Sequence, residues 1–194
     1  VVTDPPRNSA IGQVFELDRE TNNDRHTDVP MIVELPPPTD LQVSDVTVPS
    51  TARSGEPLTV SWTVTNASQT ESAVGSWSDT AYLSTDATWD IRDVPLGRRS
   101  YSGTLAPGAT YTLSLDTLLP PATPGQYRVI VRTDIFNQIY EREFDANNKT
   151  ASAETISVTV DELHLGVPHL TSLSSGQKRL FQVAVPHGQT LRVT

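Results

Sequence analysis

The chain has 194 residues, a formal net charge of −9 and no cysteine. So acidic a composition argues against nucleic acid, whose binding rests on basic residues meeting phosphate, and against anionic membrane surfaces. The absence of cysteine excludes a disulfide framework, and no apolar run approaches the roughly 20 residues that span a bilayer. Fifteen prolines, ten glycines and abundant Val and Thr favour short strands joined by turns over helices.

In chain order, residues 1–35 read as the tail of a domain. Gln13-Val14-Phe15-Glu16 is a short apolar patch, and Pro30 to Leu35 is a strand that needs partners. Pro36-Pro37-Pro38 follows. Consecutive prolines favour stiff polyproline II and have no backbone donors for a sheet, so residues 36–38 form a linker.

Residues 39–161 hold a complete strand series. Leu41, Val43, Val46 and Val48 open it, closed by Pro49. Leu58-Val60-Trp62-Val64 alternates strictly with Thr59, Ser61, Thr63 and Thr65, a period of two that buries one face and wets the other. Thr80 to Ser84 is the next strand. The acidic loop Thr85 to Asp93 separates it from Val94 to Gly97. Leu105 to Ala109 is a turn in which Pro107 presets φ and Gly108 gives freedom, leading into Tyr111, Leu113 and Leu115. Pro124-Gly125 turns the chain into Tyr127, Val129 and Val131. A loop from Asp134 to Asn148 leads to Ile156, Val158 and Val160. The fold class expected is all-β: an immunoglobulin-like β-sandwich of about seven strands, flanked by partial β domains. Trp62 and Tyr82 are its expected core anchors. Residues 163–194 begin something new, a hairpin of Leu180 to Val185 and Leu191 to Val193 around a turn at Pro186 to Gln189.

One segment recurs. Residues 12–23 match residues 137–148 at an offset of 125 residues, with Gln13/Gln138, Glu16/Glu141, Asn22/Asn147 and Asn23/Asn148 identical. A period of that length is a whole domain, not a solenoid unit of about 20–50 residues. The expectation is a window on a longer array of domains.

Two acidic groups are the candidate metal site. Asp86, Asp90 and Asp93 lie in one loop; Asp134, Glu141 and Asp145, with Glu143, lie in the loop before the last strand. Calcium takes six to eight oxygens, many from carboxylates on wrapping loops. The spacing is not that of an EF-hand, and solvated turns are the competing reading. In an immunoglobulin-like order the two loops fall at opposite ends, so they would serve two ions, each able to stiffen a junction between neighbouring domains.

Catalysis finds little support. His26, His164, His169 and His187 all lie outside residues 39–161, which removes the commonest general base from the complete domain. No HExxH pair and no Gly-x-Ser-x-Gly elbow occurs. Trp77 and Trp89 are placed to stack on sugar rings if exposed, or to fold back over the core; the second reading is favoured.

Residues 39–161 resemble CARDB, a cell-adhesion-related domain of bacteria. The resemblance rests on Pro49-Ser50-Thr51-Ala52-Arg53-Ser54-Gly55-Glu56-Pro57, Tyr82-Leu83-Ser84-Thr85-Asp86, Asp93 to Gly97, Leu105-Ala106-Pro107-Gly108 and Asn137 to Asn148. Residues 1–35 resemble the last part of a preceding repeat, with seven residues between Asp4 and Gly12 where two separate Asp134 from Asn137. Residues 163–194, through Ser174-Ser175-Gly176-Gln177 and Val185-Pro186-His187-Gly188-Gln189, resemble the opening of a bacterial pre-peptidase C-terminal domain. The resemblance implies a structural or adhesive module, not an enzyme, in a large bacterial protein that is secreted or surface-attached. Its expected partners are neighbouring domains of one long chain, further copies, and an unidentified adhesion ligand. The alternative is a non-catalytic accessory domain of a secreted hydrolase, or a carbohydrate-binding module.

Overall fold

The computed structural model describes residue 14 and residues 24–192. Apart from Val14, the first copy of the repeated segment lies outside the described residues, as do Val193 and Thr194 of the expected hairpin. The chain divides into two units, Val1–Pro36 and Pro37–Thr194. In the first, the expected strand at residues 30–35 joins no sheet, and Met31 and Ile32 are 83% and 82% exposed.

The second unit contains eleven described strands. They are β1 (Leu41–Thr47), β2 (Thr51–Arg53), β3 (Pro57–Asn66), β4 (Ala73–Ser84), β5 (Val94–Leu105), β6 (Thr110–Leu118), β7 (Gly125–Arg132), β8 (Lys149–Ala151), β9 (Ile156–Thr159), β10 (Asp161–Leu163) and β11 (Phe181–Val183). One sheet has the order β1-β3-β6. A second runs β2-β9-β7-β4-β5, with β8 also on β7, and β10 and β11 form a third of two strands. The all-β, immunoglobulin-like architecture is as expected.

The alternation in β3 decides how the sheets face. Leu58, Val60, Trp62 and Val64 are buried. The threonines between them face out, where Thr59 Oγ1 donates to Asp116 Oδ1 (2.7 Å) and Thr63 meets Thr112 (3.1 Å) across the strand pair. Facing them, Trp77, Ala81, Leu83, Val129, Val131, Ile156 and Val158 complete the core. Burying each large apolar chain is worth about 1.5–3 kcal/mol. Gly97 allows close approach of the sheets: a Cβ there would stand 2.9 Å from Leu115 Cδ1 of the facing sheet, so the tip of Leu115 would have to move.

Three expectations need correction. β4 and β5, of twelve residues each, form a hairpin that starts before Thr80 and runs beyond Gly97. Its outer face is a polar ladder, with Ser76–Ser102 at 2.7 Å and Ser78–Ser100 at 3.1 Å, so it lacks the apolar runs that mark a strand. Tyr82 is not in the core: Ala81 and Leu83 point inward, so the pleat turns Tyr82 outward. Phe181–Val183 pairs in parallel with β10 and not with residues 191–192; the turn itself forms, with Gln189 N donating to Pro186 O at 3.1 Å.

Strand register fixes two ends. Ser84 pairs with Arg128 and Thr80 with Arg132, so the loop after β4 and the loop after β7 leave opposite ends. Leu41 pairs with Asn66, and Gly125 with Val158. The chain therefore joins the sandwich at the end that carries the loop after β7, called here the leading end. It departs from the trailing end.

Candidate functional site

At the leading end, residues 133–148 close over the start of β1. Asp134 has φ +42°, and its carboxylate caps the turn that follows, accepting from Gln138 N (2.9 Å) and Ile139 N (2.8 Å). Ile139 then enters the core. The Tyr140 carbonyl accepts from both the backbone and the hydroxyl of Thr39, each at 3.1 Å. Glu141 is 1% exposed: one of its carboxyl oxygens accepts the Leu41 N–H and the other the side-chain amide of Asn148. Asn147 Nδ2 donates to Asp40 Oδ1 at 2.9 Å. The repeated signature is thus a latch on the first three residues of the domain.

Among the described residues, Glu141 forms no ion pair. Burial raises its carboxyl to about 7, and Asp134 and Asp145 push in the same direction, while the Leu41 and Asn148 hydrogen bonds oppose them. Of the expected leading-end group, Asp134 and Glu141 are buried and spend their oxygens on the chain itself; Asp145 is exposed on the 3-10 helix Arg142–Asn147.

At the trailing end, Asp86, Asp90 and Asp93 line an open cleft of about 600 Å³ with Leu83, Pro121 and Tyr127. The loop carries its own cation. Arg92 Nη2 lies 2.5 Å from Asp90 Oδ2 and holds that carboxyl below its ordinary range. Asp86 Oδ1 accepts from Thr88 N (2.7 Å) and Asp93 Oδ2 from Asp90 N (2.9 Å), as in turns that close on themselves. Among the described residues, no three His, Asp or Glu side chains are grouped to hold a metal ion. The two acidic groups stay at opposite ends.

The outgoing chain is held by charge. Asp161 meets Arg53 Nη1 (3.0 Å) and Arg179 Nη2 (3.2 Å), and Arg179 also pairs with Glu56. Gln177 Nε2 donates to Gly55 O at 3.0 Å. Gly55 has φ +82°, and a Cβ there would lie 3.0 Å from Arg179 Cγ, so conformation and space both ask for glycine.

Asp79 was not singled out by the sequence. It is 0% exposed, and its carboxylate accepts from Trp62 Nε1 (2.9 Å), Tyr111 OH (2.8 Å) and Thr133 Oγ1 (2.6 Å). Trp77 Nε1 donates to Tyr111 OH at 2.9 Å. Burial raises the Asp79 carboxyl and the Tyr111 hydroxyl above their ordinary ranges. The signal was present: Trp77, Asp79, Ala81 and Leu83 share one parity, so an aspartate falls on the inward face. The network also binds Thr133, the first residue of the latch.

The tryptophans follow the folded-back reading. Trp77 is 1% exposed in the core. Trp89 lies back along the sheet, edge-on to Tyr82 (5.9 Å) and under the Arg132 guanidinium (4.0 Å), which occupies a face a sugar ring would need.

The family model CARDB matches residues 38–153, more than half of the chain. Among solved structures, the CARDB domain of a Pyrococcus furiosus protein, crystallised in complex with di-metal ions, is 19% identical with a TM-score of 0.45. The match covers 69% of this chain and 100% of that one. The solution structure of the same archaeal domain is 17% identical, covering 63% and 96%, with a TM-score of 0.44. A β-glucosidase from Listeria innocua in complex with glucose is 19% identical with a TM-score of 0.40, covering 81% of this chain but 22% of the enzyme. No curated protein matches the chain.

Proposed function

Since this chain belongs to the CARDB family, a non-catalytic, adhesion-related domain family, we propose that residues 39–161 are a structural or adhesive module of a large bacterial protein, secreted or attached to the cell surface. The module acts as a spacer, stalk or filament segment and carries no catalytic site. The observation that carries this reading is that the chain joins the sandwich at one end and departs from the other, each anchored by its own set of side chains. Such a unit can be strung in series without rearrangement.

In this reading residues 1–35 end a preceding repeat, residues 36–38 are a stiff spacer, and residues 163–194 open a pre-peptidase C-terminal-like domain. Its partners are neighbouring domains or further copies. Occurrence of the family in bacterial surface proteins supports the location, and no helix among the described residues is long and apolar enough to cross a membrane.

Electron microscopy of the native parent protein tests the main reading. Extended strings of beads support it; one compact catalytic head overturns it in favour of an accessory domain of a hydrolase. Calcium belongs to the proposal as a stiffener of domain junctions, through Asp86, Asp90 and Asp93 at one end and Asp134, Glu141 and Asp145 at the other. Titration calorimetry at millimolar Ca²⁺ decides it: heat of binding that is lost in Asp86→Asn or Asp145→Asn supports a site, and no uptake rejects one.

A further inference from the structure

The offset that relates residues 12–23 to 137–148 carries residues 31–35 onto β9 and the residue after it, Val160. It sets Met31, Val33 and Leu35 against Ile156, Val158 and Val160. The second set is core-facing, at 0%, 1% and 8% exposure; the first is 83%, 71% and 60% exposed. Between the two aligned stretches stands a shared piece of local geometry. Thr27 Oγ1 donates to the carbonyl two residues on, Val29 O, at 2.6 Å. Ser152, which lies 125 residues later, does the same to Glu154 O at 2.7 Å. A hydroxyl-to-carbonyl contact at i→i+2 is a local device that needs no sheet around it, so its recurrence at the same offset is independent of the apolar pattern.

We infer that residues 31–35 are the closing strand of a second sandwich of this kind, with Met31, Val33 and Leu35 facing its core. The place they fill is the one β9 fills here: parallel to a β2-like strand on one side and antiparallel to a β7-like strand on the other. β2 is the edge strand of that sheet and pairs with β9 alone, so the occupant adds to the β7-like strand by backbone pairing, alternate side chains inward, and in turn carries the β2-like strand on its outer side. Pro36 ends the strand where Asp161 begins β10. Proline has no N–H to donate, so the chain after this closing strand cannot continue the ladder at that residue as β10 does.

The inference rests on the reading of residues 1–35 as the end of a preceding repeat, but its test needs only the 194-residue chain. The sequence of residues 31–35 is installed in β9 by the changes Ile156→Met, Ser157→Ile, Thr159→Glu and Val160→Leu. Thermal unfolding is followed by tryptophan fluorescence, with Trp62 and Trp77 reporting the core. The fit predicts one cooperative transition, lowered by no more than about 10 °C, because the inward exchanges nearly conserve volume. Val158→Glu, which puts a charge on the same face, is expected to abolish that transition. Loss of cooperativity in the four-residue exchange overturns the strand assignment. Its retention in Val158→Glu overturns it too, since the face would then select nothing. Neither outcome touches the preceding-repeat reading, which is tested separately by counting unfolding transitions in a longer chain.

Discussion

The leading end of the sandwich secures its chain with buried hydrogen bonds around a carboxyl that has no ion pair among the described residues, whereas the trailing end uses arginine–carboxylate pairs that reach water. Glu141 is 1% exposed and holds the Leu41 amide; at the other end the side chains of Arg53 and Glu56 are 56% and 43% exposed. The physical consequence is a difference in strength and in kind. A buried acceptor that loses its donors costs about 1–3 kcal/mol per group, while an exposed ion pair is worth about 0–1 kcal/mol and is screened by salt. The leading end should therefore open only with the domain, and the trailing end should loosen by itself.

The largest expected effect comes from the group that ties the leading end to the core. Asp79→Ala leaves Trp62 Nε1, Tyr111 OH and Thr133 Oγ1 buried without their acceptor. We expect a loss of about 3–5 kcal/mol, read as a fall of roughly 10 °C or more in Tm. Asp79→Asn keeps one acceptor oxygen and should fall between the two. A loss below about 1 kcal/mol in the alanine variant would separate the latch from the core and break the comparison.

Glu141 gives the next effect, and its sign is set by burial. The folded carboxyl titrates at about 7, against 4.5 when unperturbed. Below the lower value both states are protonated and the contribution is fully present. As pH rises toward the upper value the unfolded chain ionises first, so stability is lost across that window and then levels off. Glu141→Gln removes the loss. Its amide oxygen still accepts from Leu41, and Asn148, whose Oδ1 has no partner, can turn to accept from the new NH₂. Chemical denaturation at about pH 4 and pH 8 should show the wild type losing about 2–3 kcal/mol relative to the variant. Parallel profiles for the two proteins would mean that the latch carboxyl is effectively solvated.

These residues also show what the sequence made legible. Strict alternation in β3 announced its buried face, and the spacing of turns announced a sandwich. The outer ladder of the β4–β5 hairpin was hidden because serine and glycine there stabilise by pairing and not by burial. Tyr82, expected in the core, is turned out to Trp89 by the pleat that Ala81 and Leu83 fix. Glu141 and Asn148 are visible in the sequence as parts of a recurring signature, and Glu141 as a candidate metal ligand; their use as a latch depends on Leu41, 100 residues away, a pairing that no local pattern contains. Arg92 lies in sequence among the trailing-end aspartates, and its guanidinium pairs with Asp90.

The smallest effect, and the sharpest contrast, lies at Arg179. Its guanidinium joins Asp161 at the start of β10 to Glu56 before β3, and its stem packs on Gly55. Arg179→Gln removes both ion pairs; Arg179 and Asp161 are only 13% and 20% exposed, but Asp161 keeps Arg53 as its cation and Glu56 reaches water, so the global cost should stay at about 1 kcal/mol. The local cost is larger in proportion, because β10 and β11 form a two-stranded ladder, marginal by itself. Limited proteolysis should therefore cut between residues 164 and 180 several-fold faster in the variant, with Tm almost unchanged. The wild type should move toward the variant's rate as salt rises from about 0.05 to 0.5 M, since the Debye length then shrinks to a few ångströms. The latch at Leu41 should show no such dependence. If salt left cleavage at the trailing end unchanged, packing of Arg179 against Gly55 and not its charge would be the holding force, and the two ends would differ in exposure alone.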